Sequence, residues 1–147
     1  MNGTKQVLEF ELGDRLFATE ITEVREIVEK PEVTPLPNTP DCVEGVINLR
    51  GETATLLNPK HLLDVKDDVD GERILVTEGD EDVTGVLVDS VNEVYEVPEE
   101  ELQDTDDFDE DELSEAVYRT EGSDDFVVLL DLSLMHERIT RMTQSRA

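Results

Sequence analysis

The chain has 147 residues, 12 Lys and Arg against 39 Asp and Glu, and a formal net charge of −27. That field repels nucleic-acid phosphates and anionic lipid, so DNA, RNA and membrane-surface binding rank last among functions. The single cysteine, Cys42, excludes an intramolecular disulfide framework and a cysteine-built zinc finger, and no apolar run approaches the ~20 residues that span a bilayer.

At this length a chain buries roughly 68–70% of its unfolded surface, enough for one domain or two very small ones without staples. The N-terminus carries no signal-peptide core, and the expectation is a soluble, cytosolic protein. Residues 7–12 alternate, with Leu8, Phe10 and Leu12 on one face and Glu9 and Glu11 on the other, which predicts a strand. Gly13-Asp14 supplies a two-residue hairpin turn, and residues 16–19 read as the return strand. From Ile21 the period changes. Ile21, Val24, Ile27 and Val28 fall at helical spacing, Thr19 or Glu20 caps the start and Pro31 stops it, so a short helix is predicted. The three prolines of residues 33–40 impose an extended, ordered loop.

Residues 45–50 and 53–57 read as a second strand pair about Gly51. Asn58-Pro59 is a helix start, a cap followed by a first-turn proline, with Leu62 and Leu63 on the buried side. Residues 67–71 and Gly79-Asp80 are turn signals, and residues 73–77, 83–89 and 91–97 read as three more strands. Residues 98–115 form an acidic linker, residues 117–120 and 126–132 complete the sheets, and Ser133 caps a final helix to about Arg141, with 142–147 a flexible tail. Short strands with turns at regular spacing point to barrels. Leu56-Leu57-Asn58 recurs as Leu129-Leu130-Asp131 about half the chain further on, which favours two small five-stranded barrels over one large one.

Chemistry is sparse. The glycines are scattered singly at turns, without phosphate-loop spacing, and no Gly-x-Ser-x-Gly elbow exists. His61 and His136 read as structural histidines beside leucines, and Cys42 is flanked by Asp41 and Glu44, which suppress its thiolate. The nearest calcium-loop match starts at Lys66 and places Thr77 where a bidentate acid is required, so it fails. The acidic run 104–112 reads as a solvated loop, and with so many acids no single carboxylate pair is informative. What stands out is Arg50 in the hairpin turn of an otherwise apolar strand pair. If the predicted helix packs on that sheet, Glu26 and Arg50 form a charge-assisted pair beside an apolar patch.

These residues resemble a known family. Residues 6–13, then Val24-Arg25-Glu26-Ile27, then Leu36-Pro37-Asn38-Thr39-Pro40 resemble the opening of the CheW family of chemotaxis coupling proteins. The most specific match is Val43-Glu44-Gly45-Val46-Ile47-Asn48-Leu49-Arg50-Gly51, followed by Gly85-Val86-Leu87-Val88-Asp89-Ser90-Val91 and Leu129-Leu130-Asp131-Leu132. The resemblance runs from about Gln6 to Glu137. It implies a mainly β fold: two intertwined SH3-like five-stranded barrels with short helices and a C-terminal helix, forming one domain over residues 6–141 with an apolar groove between the barrels. It also implies a non-enzymatic, cofactor-free adaptor joining the kinase CheA to the cytoplasmic tips of methyl-accepting chemoreceptors. Carried over position by position, coupling falls on Val24, Glu26, Gly45 and Arg50, with Val46, Val86 and Val88 supplying apolar receptor contact. Val33, Leu36 and Thr53 are candidates for the kinase-facing surface.

Two departures stand against the family pattern: Asn58-Pro59-Lys60 replaces the usual Asp-Leu-Arg, and Ala116-Val117-Tyr118-Arg119 replaces a Gly-rich strand. Within the family, the regulatory domain of CheA or a receiver-fused coupling module is the alternative. Outside it, an acidic hydrolase using a carboxylate pair or a polyanion mimic acting through the acidic linker remains. The charge itself fits a molar-salt interior such as that of a halophilic archaeon, where a Debye length of ~3 Å removes most self-repulsion.

Overall fold

A computed structural model describes residues 3–63, 65, 71–78, 83–104, 113–120 and 125–144. Residues 66–70 of the calcium-loop match, the turn at Gly79-Asp80 and residues 105–112 of the acidic run lie outside that set. The chain opens with a hairpin of β1 (Thr4–Leu12) and β2 (Arg15–Glu20), turned at Gly13 with φ 62°. A 3₁₀ turn, Ile21–Glu23, then leads to β3 (Glu26–Glu29). Next come β4 (Val43–Leu49), β5 (Glu52–Leu57), a 3₁₀ turn at Pro59–His61, β6 (Arg73–Glu78) and β7 (Val83–Val88). The remainder is β8 (Ser90–Pro98), a 3₁₀ turn at Glu99–Glu101, the two-residue β9 (Gln103–Asp104), β10 (Ser114–Arg119), β11 (Phe126–Leu130) and α1 (Leu132–Gln144).

The helix predicted from Ile21 is replaced by one 3₁₀ turn and a strand. Five of the eight residues from 21 to 28 are β-branched, which suits a pleated surface better than a helix. An eight-residue helix is also too short to hold itself, whereas β3 pairs residue for residue with β6, Glu26 opposite Val76 and Ile27 opposite Leu75. The helix start at Asn58 does form, with the Asn58 side chain accepting from the Lys60 N–H at 3.1 Å, although it continues only as a 3₁₀ turn. The cap of α1 is Asp131, not Ser133: Asp131 Oδ1 accepts from the Leu134 N–H at 3.1 Å, while the Ser133 hydroxyl turns back to Glu23.

Strands order as β8-β1-β2-β11-β10-β9 in one sheet and β3-β6-β7-β5-β4 in the other. The second barrel therefore uses five consecutive strands, and the first is built from both ends of the chain, joined by the parallel pairing of β11 with β2. In the second barrel the chain beyond β3 reaches back to β4, where Thr34 and Val46 exchange two backbone hydrogen bonds of 2.9 Å each. In the first, a single 3₁₀ turn carries β8 at one edge across to β9 at the other.

Period-2 alternation divides β1, β2, β5, β6, β7 and β11 between two cores. Val7, Ala18, Val97, Tyr118, Val127 and Leu129 fill the first barrel. Ile47, Ala54, Leu56, Ile74, Val76 and Leu87 fill the second. The largest cluster lies between the barrels, where Leu8, Phe10, Leu12 and Phe17 meet Leu57, Leu75, Val86 and Val88, with Leu132 and Met135 of α1. The space between the barrels is thus occupied by this chain's own side chains.

Candidate functional site

The sequence-predicted coupling residues gather on the second barrel. Glu26 opens β3 and is half-buried, with 23% of its side chain exposed. Arg50 stands at the tip of the β4–β5 hairpin with 80% of its side chain exposed, and its Nη2 donates to Glu26 Oε1. The pair predicted from composition therefore exists, joined strand to hairpin tip instead of helix to sheet. The hairpin is a two-residue turn in which both Arg50, φ 55°, and Gly51, φ 87°, are left-handed, the pattern of a type I′ turn. Asn48 Oδ1 accepts from the Gly51 N–H at 2.8 Å and locks it. A left-handed residue with a Cβ costs about 1 kcal/mol or more, so Arg50 is held in a conformation that glycine or asparagine would take more easily.

Gly45 is buried in β4 at φ +149°, and a Cβ there would stand 2.3 Å from the Thr34 carbonyl oxygen. Its missing side chain is what lets Thr34 bond to Val46 and close the barrel, so Gly45 acts on the seam and presents nothing to a partner. Val46, half-buried, lies on that seam. Val24 follows the 3₁₀ turn and packs its side chain against the inter-barrel cluster, half-buried. Val33 packs on the second-barrel core, whereas Leu36 and Thr53 are exposed.

Val86 and Val88 need correction. They are 1% and 0% exposed, because every described residue of β7 is buried, one face against its own barrel and the other against the inter-barrel core. They belong to the same sheet as Arg50 and offer no contact to a partner. Conversely, Ile27, Arg25 and Glu52 were missed. Read as a helix, residues 21–28 put Ile27 on the apolar face. As a strand, β3 turns Ile27 outward, 42% exposed, two residues along from Arg25, which pairs with Glu52 at 3.2 Å. The alternation of Glu26 and Val28 against Ile27 and Glu29 was the available signal.

Other polar features lie apart from this face. Cys42 is buried and burial, followed by Asp41, pushes its thiol up, while His61 is exposed, so no nucleophile–base pair forms. His136 of α1 is hydrogen-bonded through Nδ1 to Thr84 Oγ1 at 2.6 Å. In the first barrel buried Glu9 accepts from Asn92 at 2.6 Å and from the Tyr95 hydroxyl at 2.8 Å, and Tyr95 meets the Tyr118 hydroxyl at 2.7 Å. Burial pushes the Tyr118 phenol up to about 12. A cavity of about 800 Å³ opens there, lined by Glu93, Glu96, Glu100, Tyr95, Tyr118 and Arg119 among others. The carboxyls displaced upward are elsewhere: burial, then Asp131, raises both Glu23 and Glu115, the latter to about 7. Among the described residues, the perturbed carboxylates Glu23 and Glu115 do not line this cavity. Among the described residues no group of three metal-ligating side chains gathers, and no helix is long and apolar enough to cross a membrane.

The model of the CheW-like domain matches residues 6–139. The chain belongs to the CheW-like family. It is 31% identical over 137 residues to the chemotaxis protein CheW of Thermotoga maritima, covering 92% of this chain and 89% of that protein. To the chemotaxis protein CheW of Rhizobium meliloti it is 35% identical over 108 residues, covering 72% and 70% of the two chains. The crystal structure of the scaffolding protein TtCheW from Thermoanaerobacter tengcongensis superposes with a TM-score of 0.79 at 26% identity, covering 88% of this chain and 90% of that one. The CheW-like fold and family make this chain a non-enzymatic scaffold, or adaptor, of chemotaxis.

Proposed function

We propose that the chain works in the cytoplasm, recruited to receptor arrays at the inner face of the cell membrane. There it couples the tips of methyl-accepting chemoreceptors to the regulatory domain of the histidine kinase CheA. The observation that carries this reading is Arg50. It is exposed at the hairpin tip, held at φ 55° against its own preference, and bonded across to Glu26. A turn chosen for stability alone carries Gly, Asn or Asp there; a strained arginine is a mark of recognition.

In this reading Val24, Glu26, Val46 and Arg50 face the receptor, which docks as an amphipathic helix, and exposed Ile27 takes the apolar role first given to Val86 and Val88. Gly45 keeps the seam closed beneath them. Val33, Leu36 and Thr53 face the kinase. Residues 6–141 act as one unit, residues 98–115 serve as a solvated acidic linker, and the net charge of −27 is an adaptation to molar salt.

The test is a reconstitution at molar KCl with kinase and receptor fragments of the same host. Arg50→Ala is expected to fold normally and to lose most receptor-dependent kinase activation. Wild-type activation by that variant removes Arg50 from the site. Failure of the folded wild-type chain to recover either partner overturns the adaptor assignment of these surfaces.

A further inference from the structure

Four charges run in a line across β3 and the β4–β5 turn: Glu52, Arg25, Glu26 and Arg50. Arg25 Nη1 donates to Glu52 Oε2 at 3.2 Å, and its Nε lies 3.9 Å from Glu26 Oε2. Glu26 Oε1 accepts from Arg50. The half-buried carboxylate of Glu26 thus divides its two oxygens between two guanidinium groups. Arg25 rises from fixed backbone, because its N–H donates to the Val76 carbonyl at 2.7 Å. Its pairing with Glu52 is open to solvent on both sides, with 42% and 48% of the side chains exposed.

These four side chains sum to zero in a chain of net charge −27. At molar salt the repulsion from the remaining acids is screened, so a partner carboxylate at contact distance meets chiefly these four charges. A docked carboxylate that displaces Glu52 gains the fork of Arg25 and strips nothing buried, since Glu26 stays paired with Arg50 and displaced Glu52 returns to water. Displacing Arg50 instead leaves half-buried Glu26 short of a partner, a costlier exchange. Ile27, exposed on β3 directly after Glu26, supplies an apolar footing.

We propose that Arg25 is a specificity residue of this face, exchanging Glu52 for a carboxylate on the partner, so that the partner is an amphipathic helix with an acidic residue beside its apolar stripe. This rests on the assignment of the face to the receptor. Glu52 is then an internal competitor, and the two halves of one ion pair have opposite effects on binding, which a purely structural pair does not produce.

The experiment measures binding of the full chain to the signalling-tip fragment of a receptor from the same host, at fixed molar KCl. Arg25→Gln is expected to weaken binding about fivefold and Glu52→Gln to strengthen it about threefold, the range of an exposed ion pair. The double variant should bind like Arg25→Gln alone. Glu32→Gln removes an equal charge from the exposed segment after β3 and should leave affinity unchanged. Equal losses in Arg25→Gln and Glu52→Gln, or a gain in Glu32→Gln matching that of Glu52→Gln, overturn the exchange while leaving the face assigned. Undiminished binding by Arg50→Ala brings down the face itself and the exchange with it.

Discussion

The two barrels are the same object built in two ways. Matched strand for strand, β8-β1-β2-β11-β10 corresponds to β3-β6-β7-β5-β4, and the parallel pair β11·β2 corresponds to β5·β7. The second barrel takes its strands in unbroken order, whereas the first takes its equivalents from the end of the chain and then the beginning. It is a circularly permuted copy. The echo of Leu56-Leu57-Asn58 in Leu129-Leu130-Asp131 falls on equivalent strands, and in each copy the polar residue caps the helical turn that follows.

The two crossovers between barrels show what differs. At the second, Asp89 between β7 and β8 accepts from the Gly13 N–H at 2.6 Å and pairs with buried Lys60 at 2.9 Å. Lys60 keeps the cation of the family's usual Asp-Leu-Arg, so this departure preserves the charge that Asp89 needs. At the first crossover Glu23 accepts from Thr19 Oγ1 at 3.0 Å, Leu132 N at 3.2 Å and Ser133 Oγ at 3.0 Å. Around it stand Asp131, Glu115 and Glu20, with Lys5, 3.5 Å from Glu20, the cation that offsets them. One crossover is held by opposite charges; the other gathers like charges, and burial among them raises Glu23 and Glu115.

Breaking the barrel seam should have the largest effect. Gly45→Ala is expected to cost about 4 kcal/mol, from a forced backbone shift at Thr34 and a strained φ, read as a fall in denaturation midpoint at fixed salt. Asp89→Asn should cost about 3 kcal/mol by removing the carboxylate charge 2.9 Å from buried Lys60, and a Lys60→Met/Asp89→Asn double variant, which keeps an acceptor for the Gly13 N–H, should recover much of it.

The first crossover is tested by pH. Glu115 titrates at about 7 when folded, above its ordinary 4.5, so the folded state binds that proton more tightly. That contribution is present below about pH 4.5 and is lost as pH rises through 7. Glu115→Gln should flatten the fall in stability between pH 5 and 8 by about 1 kcal/mol after solvent screening. An unchanged slope in Glu115→Gln would remove the contrast between crossovers. The smallest effect separates stability from function at the hairpin tip: Arg50→Gly is expected to stabilise the chain by up to about 1 kcal/mol while reducing kinase activation, measured on one sample by denaturation and phosphorylation assay.

Local chemistry was legible where one strand or one turn decides it. Gly13-Asp14 makes its hairpin, Asn58 caps its turn, and the alternation of β1 holds from Leu8 to Leu12. The pairing of Glu26 with Arg50 was legible too, because two opposite charges beside apolar strands in so acidic a chain have few other reasons to be there. Residues 21–28 were misread because a short apolar pattern fits both periods. Only the partner strand β6, far along the chain, chooses between them.

By itself the sequence determined the mainly β class, the number and spacing of most strands, the cap at Asn58, the turns at Gly13 and Gly51, and the family. Tertiary structure alone decided which strands share a barrel, which apolar faces look inward and which look at the other barrel, and hence that Val86 and Val88 are core while Ile27 is surface. The physical reason is that alternation marks a residue as apolar-facing without naming what it faces. Partners are chosen by backbone hydrogen bonds between segments far apart in the chain, such as β2 with β11, and no local pattern records them.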